Sequence, residues 1–231
     1  MAYILFAEDD TTLRNAITLA LKSEGYKVRA CKDGAEALAA YSERRPDLMI
    51  LDVMMPKKSG YDVCVEIRRN DSLLPVMFLT AKSSEEDVVL GLGLGADDFI
   101  AKPVRLDVLL ARIAVIVKWA ERAAPAAAQG DTFTVGDAIV DATRFVVHRN
   151  GEPDCSLTIR ELGLLRTFTA HQGEVLSRDA LLDAVWGENY FASSRTLDQH
   201  IVQIRRKLGK SGNLIETVRG TGYRLVAPTA R

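Results

Sequence analysis

The first 120 residues alternate between two kinds of segment, and this constrains the chain more than anything else in it. Short, mostly apolar runs occur at Tyr3–Ala7, Val28–Ala30 (with Arg29 between), Leu48–Leu51, Val76–Leu79 and Phe99–Ala101. Between them lie longer segments with apolar residues at helical spacing, such as Leu13, Ile17, Ala20 and Leu21. Apolar strands alternating with amphipathic helices predict an α/β domain: a doubly wound, five-stranded parallel sheet with helices on both faces.

The texture then changes. Ala123 to Asp131 is small, carries Pro125 and Gly130, and lacks large apolar residues. We read residues 1–120 as one domain, 121–131 as a linker and 132–231 as a second domain; an Ala-rich helical extension is the alternative for the linker, and Pro125 and Gly130 weigh against it. The second domain opens with short alternating strands (Thr132–Val135, Ala138–Asp141, Phe145–Arg149) and a turn at Asn150-Gly151. Three helical patterns follow, Thr158 to His171, Arg178 to Trp186 and Arg195 to Leu208. The chain then reads as a β-hairpin over Leu214–Val218 and Tyr223–Val226, turning through Gly220-Thr221-Gly222. That is a small α+β domain with three helices between two sheets.

Composition excludes several classes. With 48% hydrophobic and 26% charged residues the chain resembles neither a disordered nor a fibrous protein. The most apolar stretch, Leu106 to Ala120, carries Asp107, Arg112 and Lys118, so no membrane span is expected. The start, Met1-Ala2-Tyr3-Ile4-Leu5-Phe6, runs directly into Glu8-Asp9-Asp10 and does not read as a signal peptide. Three scattered cysteines (Cys31, Cys64, Cys155) suit free thiols in a reducing cytoplasm. The net charge of −1 hides an asymmetry. Residues 195–231 hold eight basic side chains and two acidic ones, a net of 8 − 2 = +6.

In a doubly wound sheet, function collects beyond the carboxyl ends of the strands. The first polar residues after the apolar runs are Glu8 and Asp9, Asp52, Thr80 and Lys102. Any one alone could be a helix cap, as Asp10 or Thr11 could be for the helix that follows. Together they permit specific chemistry. Crowded carboxylates attract a hard cation such as Mg²⁺, and a carboxylate can act as a nucleophile and form an acyl phosphate. An ammonium and a hydroxyl can then bind the phosphoryl oxygens.

Ala7-Glu8-Asp9-Asp10, Leu51-Asp52-Val53-Met54-Met55-Pro56, Leu79-Thr80-Ala81, Gly95-Ala96-Asp97-Asp98-Phe99 and Lys102-Pro103 resemble, in order, the motifs of the receiver domain of two-component response regulators. The resemblance runs from about residue 3 to 119 and implies a flavodoxin-like fold. It implies that Asp52 is the phosphoacceptor and that Glu8, Asp9, Asp52 and the Met54 carbonyl hold Mg²⁺. Thr80 and Lys102 would contact the phosphoryl group, and Phe99 would be the switch aromatic beside Thr80. Gly91-Leu92-Gly93-Leu94-Gly95 is not read as a dinucleotide loop, because a helix (83–90) precedes it where a strand is required. Its glycines instead predict a soft helix, suited to a switch surface.

In the second domain, Thr158 and Glu161 predict a capping box. Leu197, Ile201, Ile204 and Leu208 form a core stripe, leaving Gln199, His200, Val202, Gln203 and Arg206 facing away. A helix with a Gln/Arg-rich outer face suits the major groove. With Thr217-Val218-Arg219-Gly220-Thr221-Gly222-Tyr223-Arg224, these segments resemble the winged helix-turn-helix domain of the OmpR/PhoB-type regulators over about 132–227. The resemblance implies a recognition helix at Arg195–Lys207, with Val202, Gln203 and Arg206 at base edges. Arg195, Thr196 and His200 would touch phosphates, and Arg219 would enter the minor groove. Trp186 reads as core.

The resemblance also implies a sensor histidine kinase and double-stranded DNA as partners, homodimerisation on phosphorylation, and no membrane; RNA polymerase stays open as a further partner. Such receivers pair through cross-dimer salt bridges, one of which Asp98 and Arg112 match. A second is absent, its basic and acidic positions being held by Leu90 and Val108. Loss of both ends of an ion pair can be nearly neutral, so a less polar dimer surface is expected. An aspartate phosphohydrolase is disfavoured because Leu51-Asp52-Val53-Met54 lacks a second Asp two residues on. A regulator that takes no phosphate is disfavoured by the complete acid, Thr and Lys set. No enzyme activity is expected beyond phosphoryl uptake and loss at Asp52.

Overall fold

The computed structural model describes residues 1–81, 90–123, 131–187 and 194–228, with side chains at 119–123 and 194–195 left out. The chain divides into two compact units, Met1–Ala120 and Glu121–Arg231. The helix expected over 83–90, save Leu90, and the stretch 124–130 lie outside the described residues.

Unit one is a parallel sheet of β1 (Tyr3–Ala7), β2 (Lys27–Cys31), β3 (Leu48–Asp52), β4 (Val76–Thr80) and β5 (Asp98–Ala101), in the order β2-β1-β3-β4-β5. The helices described are α1 (Thr11–Ser23), α2 (Gly34–Glu43), α3 (Gly60–Asn70) and α4 (Leu106–Ala123). Successive strand residues point to opposite faces. Leu5, Met49, Leu51 and Phe78 pack with Ala37 and Ala40 of α2 and Val63 and Ile67 of α3. Ile4, Phe6, Ile50 and Met77 pack with Ile17 and Leu21 of α1 and Leu109 and Ile113 of α4. Both faces are covered, which is why the central strands β1, β3 and β4 read as nearly unbroken apolar runs.

Caps fix where the helices start. The Asp10 carboxylate accepts from the Leu13 amide at 2.8 Å, and that of Asp33 from the Glu36 amide at 2.8 Å. Ser59 and Asp62 form a capping box on α3. At the far end of α3, Arg68 donates to the carbonyls of Gly95 (2.8 Å), Asp71 (3.0 Å) and Leu74 (2.6 Å), and to Asp97 (3.0 Å). It ties α3 to the turn before β5. Helix α4 continues to Ala123, into the stretch expected as linker from 121. Trp119-Ala120-Glu121-Arg122-Ala123 holds no helix breaker, and the sequence brings Pro125 only two residues later.

Unit two begins with an antiparallel sheet of β6 (Thr132–Val135), β7 (Ala138–Asp141), β8 (Val146–His148) and β9 (Cys155–Ser156). Helices α5 (Ile159–Ala170), α6 (Arg178–Trp186) and α7 (Ser194–Leu208) follow, then a 3₁₀ turn at Gly209–Leu214. The hairpin is β11 (Ile215–Val218) and β12 (Gly222–Leu225), joined by β10 (Val175–Ser177) into a sheet of order β10-β12-β11. Strands β9 and β10 escape a reading of the sequence, since two or three residues cannot show a period of two. The predicted Thr158–Glu161 capping box is present.

Candidate functional site

The order of the sheet reverses between β1 and β3, so the ends of these two strands border one crevice. Glu8 and Asp9 follow β1 and Asp52 ends β3, and their carboxylate oxygens lie within 4.8 Å of one another. Glu8 is fully buried and Asp52 is 3% exposed, while Asp9 is exposed. Lys102, one residue past β5, reaches across the sheet ends. Its Nζ donates to Glu8 Oε1 and to Asp52 Oδ2, each at 2.8 Å. Asp52 Oδ1 accepts from the Met54 amide at 3.1 Å, so both carboxylate oxygens are held in orientation.

Electrostatics follow from this crowding. Burial pushes the Glu8 carboxyl up to about 6, with Asp52 adding to the rise and Lys102 opposing it. Burial works against the Lys102 charge, yet its hydrogen bonds to Asp52 and Glu8 outweigh this and raise its pKa. Glu8 Oε2 is buried and has no hydrogen-bond partner among the described residues. An orphaned carboxylate oxygen next to two further carboxylates fits a hard divalent cation, because oxygen ligands are what Mg²⁺ takes. Thr80 ends β4 and is 3% exposed. Phe99, in β5, is half-buried and packs against the α2–α3 side of the core. The Met54 side chain is exposed.

Asp98 and Arg112, expected to pair across a dimer, pair within one chain. Arg112 donates to Asp98 at 3.1 Å and to the Phe99 carbonyl at 2.7 Å. Asp98 is fully buried, and a buried carboxylate takes whatever cation its own fold brings near. Leu90 is exposed at 49%, Leu106 at 40%, and Val108 is half-buried.

In unit two, the outer face of α7 carries exposed Val202 and Arg206, with half-buried Gln199 and Gln203. Two residues expected there lie elsewhere: Thr196 is fully buried and His200 is 4% exposed. His200 Nδ1 donates to the Thr196 carbonyl at 2.8 Å, and its ring meets Trp186 edge to face, 5.0 Å between centroids. The Arg195 side chain lies outside the described residues. Arg219 is exposed at the hairpin turn.

Sequence reasoning misses how much of the basic patch is used internally. Lys207 donates to Glu161 at 2.6 Å, tying α7 to the start of α5. Arg205 donates to the Ile215 carbonyl (2.6 Å) and to Thr217 (2.9 Å), and Arg224 pairs with Glu216 at 2.8 Å. Tyr223 of β12 donates its hydroxyl to Asp198 of α7, which also takes Arg178 of α6 at 3.1 Å. The Arg178 and Arg205 guanidinium groups lie 5.2 and 5.7 Å from the centre of the Tyr223 ring. This network wires the hairpin to the helix. The signal for it in the sequence is Asp198, the one acid in the otherwise basic stretch Arg195–Lys207.

Comparison with known proteins assigns both units to families. Residues 4–114 match the family described as response regulator receiver domain, and residues 151–225 match transcriptional regulatory protein, C terminal. The transcriptional regulatory protein AfsQ1 of Streptomyces coelicolor is 41% identical over 231 residues, covering 99% of this chain and 100% of that one. The DNA-binding response regulator MtrA of Mycobacterium tuberculosis is 38% identical over 228 residues, covering 97% of each. Among solved structures, a cysteine-to-serine mutant of RitR covers 97% of this chain and 99% of its own at 28% identity, with a TM-score of 0.78. The response regulator DrrB, an OmpR/PhoB homologue of Thermotoga maritima, covers 98% and 100% at 30% identity, with a TM-score of 0.51. The chain belongs to the OmpR/PhoB-type response regulators of two-component systems, transcriptional regulators that join a receiver domain to a DNA-binding domain. Among the described residues, no helix is long and apolar enough to cross a membrane.

Proposed function

We propose that a sensor histidine kinase in the cytoplasm phosphorylates Asp52, and that the phosphorylated chain dimerises and binds tandem half-sites on double-stranded DNA. The observation behind this is the convergence of Glu8, Asp9, Asp52 and Lys102 at one crevice. In the transfer, an Asp52 carboxylate oxygen attacks phosphorus as the bond from phosphorus to the kinase histidine breaks, leaving an acyl phosphate and a free imidazole. Glu8, Asp9, Asp52 and the Met54 carbonyl would hold Mg²⁺, which would neutralise charge on the phosphoryl oxygens. Lys102 leaves Asp52 Oδ2 and follows the new negative charge, and Thr80 donates its hydroxyl to it. Phe99 would be the aromatic that repacks with Thr80. RNA polymerase is a further partner for the DNA-bound dimer.

The dimer would use exposed Leu90 and Leu106 with half-buried Val108, and Asp98 and Arg112, paired within the chain, would join it only by exchanging partners. Sedimentation with Mg²⁺, with and without beryllofluoride, tests this. A monomer-to-dimer shift that Asp52→Ala abolishes is the expected result. An unshifted protein that has demonstrably taken up phosphate would overturn the dimer.

On DNA, we assign Val202, Gln203 and Arg206 to the major groove and Arg219 to the minor groove. Arg195 is assigned to a phosphate; buried Thr196 and His200 would support the helix instead. Arg206→Ala should weaken binding by about 1–3 kcal/mol if the side chain reads a base. If it contacts only phosphate, the loss will be uniform across sequences and the salt slope will fall by about one. Affinity unchanged at every salt concentration would remove Arg206 from the interface.

A further inference from the structure

We infer that Lys57 is a positioning residue: by pairing with Asp33 it holds the loop between β3 and α3, and with it the Met54 backbone, whose amide meets the Asp52 carboxylate. The inference rests on the Mg²⁺ site proposed above and adds to it a residue outside the acid, Thr and Lys set.

The loop from Val53 to Ser59 follows Asp52 directly. Lys57 Nζ lies 2.5 Å from Asp33 Oδ2, and the Asp33 side chain is only 3% exposed. The Lys57 hydrogen bond holds the Asp33 carboxyl below the usual range, as expected for a carboxylate that stays ionised. Lys57 has φ of 65°, a left-handed conformation that a residue with a side chain adopts only when its surroundings impose it.

Two helix starts grip the same loop from below. A Cβ on Gly34 would lie 2.3 Å from the Lys58 carbonyl oxygen, and one on Gly60 would lie 2.3 Å from that of Asp52. Hydrogen bonds close it further, from Lys58 N to Pro56 O (2.8 Å) and from Gly60 N to Val53 O (3.1 Å). The backbone is thus fixed at each end, and the Lys57–Asp33 pair fixes its crest to the turn before α2. Asp33 does two jobs at once: one oxygen caps α2 and the other takes Lys57.

The test separates positioning from simple charge. Removing a cation near a metal site favours Mg²⁺, whereas loosening the loop disfavours it. Calorimetric titration of the full chain with Mg²⁺ is expected to show Lys57→Met and Asp33→Asn binding about three- to tenfold more weakly, with Lys57→Arg restoring affinity. This is less than the 10–100-fold typical of groups that touch a ligand directly. Asn caps a helix as well as Asp, so α2 is preserved in Asp33→Asn. In metal-free protein, amide exchange over Val53–Ser59 should speed up in both weakened variants and not in Lys57→Arg. Equal or tighter Mg²⁺ binding by Lys57→Met, with normal binding by the wild type, overturns the inference alone. A wild-type chain that binds no Mg²⁺ overturns the proposed site and this inference with it.

Discussion

An Asp52→Asn protein is expected to take up no phosphoryl group from a small acyl phosphate donor in the presence of Mg²⁺, as read by intact mass. Asn keeps the shape of the carboxylate and can still accept from the Met54 amide, so the fold should survive. What it lacks is the nucleophilic oxygen. The same assay on Lys102→Met should show slowed uptake, on the order of 10²-fold, as for other sites that lose one charged donor to a developing anion. The two variants fail for different reasons. Lys102→Met leaves Glu8 and Asp52 close together without their shared cation. It should therefore also lose stability in metal-free buffer and regain much of it with Mg²⁺. Wild-type uptake by Asp52→Asn would place the acceptor elsewhere.

Replacing Trp186 with alanine should destabilise the second unit by about 3–5 kcal/mol, the usual cost of truncating a large buried aromatic. Trp186 is fully buried, its ring lies 5.3 Å from the Arg160 guanidinium, and it meets His200 edge to face. Arg160 is 2% exposed and donates to the Val185 carbonyl. Loss of the ring leaves that buried cation beside a void. At several degrees per kcal/mol, the melting transition of unit two should fall by more than about 10 °C. The receiver has its own core and should melt where it does in the wild type. Calorimetry separates the two outcomes, and a matching fall in both transitions would show that the units unfold as one.

The receiver sheet is legible in the sequence because its three central strands, β1, β3 and β4, are apolar on both faces and end on or run straight into a polar residue. Those ends converge simply because parallel strands all finish on one side. What stays hidden is the partnering of charges. Counting eight bases against two acids in 195–231 cannot show Lys207 turned back to Glu161, 46 residues away. Nor can it show Asp98 and Arg112 closing on each other within one chain. His200 reads as outward because it lies off the Leu197-Ile201-Ile204-Leu208 stripe. At 100° per residue it is only about 40° from Ile204, inside the width of an ordinary core-facing surface. Trp186 packs against it and extends the core to that side.

The internal use of basic side chains has a consequence for how such a protein searches a chromosome. Arg205, Lys207 and Arg224 hold the hairpin and helix in place, leaving Arg206, Lys210 and Arg219 exposed among the described bases of that segment. If only these bases reach phosphates, counterion release would be small and dwell times on arbitrary sequence short. A single copy would sample sites and leave. Two copies joined on adjacent sites would stay far longer, because the second binds at a high local concentration. With the proposed dimer, promoter occupancy would then rise with roughly the square of the active fraction, giving a sharp threshold from a reading head that spends much of its charge internally.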